Sequence, residues 1–206
     1  IESVVTAAHM RARTVTAHAY DPGAISTALR AGVDCIEHGY MAADKDLEVM
    51  RSKGVFLVPT LTVAEPPAAV KRLLRGSEPV SVALRNEYKT FERAYKLGVK
   101  IAFGTDAGIY PHGRNADELL TMVGLGMDPA DAIYSATVVA AELFAVEGLT
   151  GTVKAGSYAD IIAVQGNPLQ DISTLLTVDW IIKSGQVVKR SGLMQPAMNF
   201  ALPQRY

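Results

Sequence analysis

Three residues stand where their chemistry could be combined. His18 closes Thr14-Val15-Thr16-Ala17-His18, His38 closes Val33-Asp34-Cys35-Ile36-Glu37-His38, and Asp106 follows Val99 to Phe103 within Gly104-Thr105-Asp106-Ala107-Gly108. Each follows a β-branched or apolar run of strand length, so each is predicted at the C-terminal end of a strand. Imidazole and carboxylate are the ligand types a catalytic Zn²⁺ takes. A carboxylate beside such an ion can also take the proton of a water whose pKa the metal has lowered. Separations of 20 and 68 positions let the three meet only if their strands are neighbours in one sheet. Each also has a plainer reading: a single histidine at a strand end is more often a hydrogen-bonded structural residue, and Asp106 could cap the helix that follows. The coincidence of three strand ends favours a shared site. Gly104 and Gly108 would permit close approach of a substrate backbone.

Secondary candidates surround these three. Tyr20, two residues after His18, shares its direction along the strand and could hydrogen-bond a substrate carbonyl or carboxylate. His112 and Arg114 lie on the loop after Asp106 and could face substrate, Arg114 by pairing with a carboxylate. His9 falls in a helix and is assigned to the outer face or to packing, and Cys35 to the core, since nothing nearby would lower a thiol pKa.

The elements that must position these groups repeat one construction. A helix over Ile1 to Met10 leads to the His18 strand, and a helix begun at Asp21-Pro22-Gly23 and stopped by Gly32 leads to the His38 strand. A third helix, Asp44 to Lys53, stops at Gly54 before Val55 to Thr60, and a long amphipathic helix to Leu97 stops at Gly98 before Val99 to Phe103. Between the third and fourth units Thr62 to Pro79, with Pro66-Pro67 and Gly76, reads as a long excursion and a candidate lid. Two further helices, Asn115 to Gly124 and Ala130 to Phe144, complete the pattern. Helix and strand in alternation predict an α/β fold with a parallel sheet, and polar residues at the strand ends suit a (β/α) barrel; four units are half of one. Beyond Gly148 the pattern changes to short strands and tight turns, among them Gly151-Thr152-Val153, Asp160 to Val164, Val178 to Lys183 and Gln186 to Lys189. The expected division is therefore 1–147 as a partial barrel and 148–206 as a β segment.

Composition narrows the partners. The 206 residues carry 20 Lys plus Arg against 21 Asp plus Glu, so no basic footprint marks a nucleic-acid partner. Apolar runs are strand-sized and too short for a bilayer, so no membrane partner is expected. One cysteine forms no internal disulfide. The opening at Ile1, already helical and without a leader, suggests a chain that begins inside a larger protein, with the cytoplasm as the default compartment.

The strand ends, with Leu57-Val58-Pro59-Thr60-Leu61 between them, together resemble strands five to eight of the amidohydrolase superfamily. The run Gly148-Leu149 through Asp160-Ile161 is similar to the passage where those enzymes return to a small β-sandwich. Within the superfamily the resemblance is to the imidazolonepropionase-like branch with its Xaa-Pro and Xaa-Arg dipeptidases. It implies the C-terminal half of a (β/α)8 TIM barrel and part of a β-sandwich. It implies also a hydrolase of an amide or dipeptide acting through a metal-bound hydroxide. His18 and His38 would bind one divalent metal, zinc by expectation, and Asp106 would bind a second and serve as base. The family's His-x-His pair and metal-binding lysine have no counterpart here, which implies a missing N-terminal half. Related enzymes often form symmetric homo-oligomers. Two other readings stay open: a deaminase or cyclic-amide hydrolase of the same superfamily, and a structural half inactive without an upstream chain.

Overall fold

The computed structural model describes residues 1–64, 78–109 and 111–195, without the side chains of 63, 64 and 78–85. The expected lid at Thr62 to Pro79 lies mostly outside the described residues. The first helix, α1 (Glu2–His9), buries Val5 and leads to β1 (Thr16–Ala19). Their junction is pinned by Asp34, whose Oδ2 accepts the Val15 amide at 2.7 Å and lies 2.9 Å from His9 Nε2. His9 is exposed, so of the two readings offered for it the outer face holds, with Asp34 as its partner there. The next helix, α2 (Pro22–Ala31), starts where the Asp21 carboxylate accepts the Gly23 and Ala24 amides and Pro22 supplies a preset φ. It ends at Gly32, whose φ of 84° a side chain would strain. After it come β2 (Cys35–His38), α3 (Asp44–Lys53) and β3 (Phe56–Val58). β1, β2 and β3 are parallel and pair in that order, with His18 level with Glu37 and Glu37 level with Val58.

The long helix α4 (Glu78–Leu97) precedes the fourth extended segment, which is shorter than the sequence predicts. Only Ile101 bridges to Leu57, through hydrogen bonds from the Leu57 amide to the Lys100 carbonyl and from the Ala102 amide to the Leu57 carbonyl. The next amide, Phe103, leaves the sheet and donates to the Ser135 carbonyl at 3.1 Å. Ser135 opens a π turn (Ser135–Val139) inside what the sequence predicts as one regular helix; it separates α6 (Pro129–Tyr134) from α7 (Ala140–Leu143). A π turn disturbs the i to i−4 ladder, and here the helix offers a carbonyl to the segment that carries Asp106. The preceding helix is α5 (Asp117–Gly124).

Two apolar layers sandwich the sheet. Ile25, Leu29, Ile36, Leu47, Met50, Leu57, Phe91 and Met122 pack between strands and helices, while Cys35, Phe56, Val58, Ala102 and Leu143 form a smaller cluster. Burial pushes the Cys35 thiol up to about 12, so it is an inert core residue. Gly104 serves this packing: a Cβ there would lie 2.3 Å from Val58 Cγ1, so the glycine admits a neighbouring side chain of its own fold.

The tail forms a separate antiparallel sheet, β4 (Ile161–Val164), β5 (Val178–Lys183), β6 (Gln186–Arg190) and β7 (Leu193–Met194). Ser184 and Gly185, both at positive φ, make the tight β5–β6 turn, and Asp160 receives the Ser184 amide and the Lys183 ammonium. The strand expected at Gly151-Thr152-Val153 is a bend, where the chain runs against the helix. A Cβ on Gly151 would sit 2.7 Å from the Thr137 carbonyl oxygen. Ile172, in a 3₁₀ turn (Ile172–Leu176), ties the tail to the main core. Among the described residues no helix is long and apolar enough to cross a membrane.

Candidate functional site

The backbone is unusual at three successive strand ends. His38 has φ 70°, and Thr60 and Asp106 each have φ 50°. Such values are uncommon for non-glycine residues and most costly for β-branched threonine, and strain of this kind collects at functional sites. At His38 it changes the site directly. Strand alternation would send His38 to the face of Ile36, into the helix-facing core; the turn brings it instead onto His18.

His38 is buried, and each of its ring nitrogens has a partner. Its Nε2 lies 2.9 Å from His18 Nδ1, and its Nδ1 lies 2.7 Å from Thr60 Oγ1. Tyr20 stacks on the His38 ring with centroids 4.7 Å apart and planes 8° apart, and meets His18 edge-on at 4.6 Å. Tyr40 closes the other side, its hydroxyl 2.9 Å from Thr60 Oγ1 and 3.2 Å from the Thr60 carbonyl oxygen. Burial lowers the His38 pKa, the neighbouring His18 lowers it further, and Asp106 opposes both, so the ring is held neutral. Burial raises the Tyr20 phenol, with Asp106 and Glu87 adding to it.

His18, His38, Thr60 and Asp106 line one cavity of about 260 Å³ with Glu37, Val58, Gly104 and Thr105. Asp106 is exposed and makes no hydrogen bond to another described residue; its link to His38 is electrostatic. Glu37 accepts the Thr16 hydroxyl at 2.7 Å. His112 and Arg114 do not line this cavity. His112 is exposed on its loop, and the Arg114 guanidinium is paired with Asp117 one helical turn on.

Two buried acids stand behind the site, and neither drew attention in the sequence. Glu118 on α5 accepts the Leu61 amide at 2.8 Å, the Thr62 amide at 2.7 Å and the Thr62 hydroxyl at 2.5 Å, clamping the turn that follows Thr60. Glu87 on α4 is buried, and its Oε1 finds no partner among the described residues. Burial pushes Glu87 up to about 9, the Glu118 charge adds to that, and Tyr40 opposes it. Its ordinary value is 4.5, so between pH 4.5 and about 9 the folded protein holds a proton the unfolded chain has lost. Stability should therefore fall with rising pH across that window, by up to about 1.4 kcal/mol per unit, and level off outside it. In urea titrations from pH 5 to 8, Glu87→Gln is expected to flatten this dependence and to gain most at pH 8. An unchanged slope would show that Glu87 is ionised in the folded state.

A divalent ion fits part of this donor set. Two imidazole nitrogens face each other at 2.9 Å, one on a ring that burial keeps neutral, and a carboxylate shares their cavity. Among the described residues no three His, Cys, Asp or Glu side chains converge into a complete metal cluster. Two imidazole nitrogens of this kind suit a divalent ion as two of its ligands.

Residues 1–188 match the amidohydrolase family. The chain belongs to that family. It is 34% identical over 201 residues to ochratoxinase of Aspergillus niger, covering 94% of this chain and 42% of that protein. The crystal structure of the A. niger enzyme superposes with a TM-score of 0.84 at 32% identity, over 98% of this chain and 48% of that one. The crystal structure of a Xaa-Pro dipeptidase with bound methionine superposes with a TM-score of 0.85 at 38% identity, over 91% and 48%. A prolidase complexed with N-methylphosphonate-L-proline gives 0.81 at 30% identity, over 92% and 48%. The chain thus spans about half the length of the relatives it matches. This amidohydrolase-family chain pairs a parallel α/β sheet with a small antiparallel sheet.

Proposed function

We propose that this chain is the C-terminal half, strands five to eight, of the (β/α)8 barrel of a metal-dependent amidohydrolase, followed by part of its β-sandwich. The complete enzyme would hydrolyse the C–N bond of a small amide or dipeptide. The observation that carries this reading is the direct His18–His38 contact, at the strand ends, in the cavity that Asp106 also lines. Kinship with a Xaa-Pro dipeptidase and a prolidase favours a dipeptide ending in proline as substrate.

His18 through Nδ1 and His38 through Nε2 would hold the ion, zinc by preference, with the remaining ligands on the upstream half. A divalent ion there would supply Lewis acidity toward the amide carbonyl and the attacking water. Asp106, exposed to the cavity, takes the proton of that water and delivers it to the amide nitrogen as the C–N bond breaks, leaving a carboxylic acid and an amine. Tyr20, its phenol held protonated, donates a hydrogen bond to the substrate carbonyl or carboxylate. His112 and Arg114, on the loop after Asp106, meet the substrate carboxylate from outside the cavity, Arg114 by exchanging its Asp117 partner.

A panel of Xaa-Pro dipeptides offered to the complete protein tests this reading. Equal release of both amino acids without ammonia is the expected result. Ammonia from cyclic amidines, with the dipeptides untouched, would overturn it in favour of a deaminase.

A further inference from the structure

The Thr60 hydroxyl carries one proton and has three partners within hydrogen-bond distance: the Pro59 carbonyl oxygen at 2.8 Å, the Tyr40 hydroxyl at 2.9 Å and His38 Nδ1 at 2.7 Å. The carbonyl can only accept, so the Thr60 proton goes there, and the two lone pairs of Oγ1 are left for donors. Tyr40 fills one with its O–H, which also reaches the Thr60 carbonyl oxygen at 3.2 Å. His38 fills the other, which requires a proton on Nδ1 and leaves Nε2 as the bare nitrogen facing His18 Nδ1. Thr60 and His38 are both buried, which limits competition from water for these bonds.

We propose that Thr60, held by Tyr40, is a positioning residue that fixes the tautomer and ring orientation of His38, keeping the Nε2 lone pair turned toward His18. The meaning of this for catalysis rests on the proposed function; the tautomer itself does not. Thr60 is in turn held from behind. Its left-handed φ of 50° aims Oγ1 at the ring, and the Glu118 carboxylate grips the two following amides. A hydroxyl serves here as the outer partner that ligating histidines ordinarily find in a carboxylate, a carbonyl or water.

The complete protein, labelled with ¹⁵N at histidine and stripped of metal by a chelator, tests this by imidazole ¹⁵N shifts at about pH 8, where an unperturbed imidazole is mostly neutral. The His38 signals are identified by their absence in His38→Gln. Wild type is expected to show Nδ1 protonated and Nε2 bare. Thr60→Val should mix the tautomers and Thr60→Ser restore the single form, which loss of packing alone would not do. Zinc affinity should fall about 10–100-fold in Thr60→Val and recover in Thr60→Ser. A proton on Nε2 in wild type would overturn the proposal, as would a tautomer unchanged in Thr60→Val. Should Thr60→Val not fold, the wild-type spectrum still decides the assignment. Tyr40→Phe then serves as the second variant: signal broadened by exchange between tautomers supports the relay, and a spectrum identical to wild type removes Tyr40 from it. Failure of wild type to bind zinc, with the tautomer as stated, would sink the proposed function and leave this inference standing.

Discussion

Replacing Asp106 by asparagine is expected to lower turnover of a Xaa-Pro dipeptide about 10²–10⁴-fold in the complete enzyme, with little change in KM. The substitution keeps the shape of the side chain and removes its capacity to carry a proton from water to the leaving nitrogen. Asp106 is exposed, forms no hydrogen bond to another described residue, and stands at a φ of 50° that asparagine tolerates as well as aspartate, so the fold should survive. A plain helix cap would behave differently, costing some stability and leaving the turnover number near wild type. Steady-state kinetics beside a melting curve separates the two, and turnover within about threefold of wild type would remove Asp106 from the chemistry.

Glu118→Ala is expected to destabilise the protein by about 3–5 kcal/mol. Leu61 is fully buried, so its amide, and that of Thr62 beside it, would lose the carboxylate without gaining water, at about 1–3 kcal/mol for each stranded donor. The void left by the side chain adds to the loss. Burial pushes the Glu118 carboxyl up while these same three donors hold it down. Glu118→Gln, which keeps one accepting oxygen, should lose less than the alanine variant. Urea unfolding of both measures the difference, and a loss below about 1 kcal/mol in Glu118→Ala would mean that water reaches these amides. The residues clamped follow Thr60 directly, so the alanine variant should also loosen the contact with His38.

His18, His38 and Asp106 were legible in the sequence because each follows an apolar strand-length run and because helix and strand recur in a fixed order. That order places strand ends on one edge, which is enough to group residues that are 20 and 68 positions apart. What the order does not carry is the backbone angle at the strand end. The positive φ of His38 and Thr60 decides which way both side chains turn, and neither residue type announces it. Thr60 lies between proline and leucine, where a small hydroxyl carries no signal, and Tyr40 follows a glycine like any loop aromatic. Glu87 and Glu118 sit in helices among other charged residues, and such glutamates ordinarily face water; their burial arises from contacts with the β3 turn and Tyr40 that lie far away in sequence. The fourth strand shrank to a bridge for a similar reason: its Phe103 amide is taken by a carbonyl in the π turn, and helical periodicity at Ala130 to Phe144 gives no sign of that turn. Gly104 lines the cavity, in keeping with its reading as room for substrate, while its packing against Val58 depends on a neighbour in another strand.

In the proposed function His18 and His38 together hold a divalent ion. Elemental analysis of the complete protein, purified alongside His18→Ala and His38→Ala, tests it most directly. Stoichiometric zinc or another divalent ion in wild type, reduced in each variant while the melting curve stays cooperative, is the result this account predicts. Metal content unchanged by both substitutions would contradict it and return the two histidines to a structural hydrogen-bonded pair.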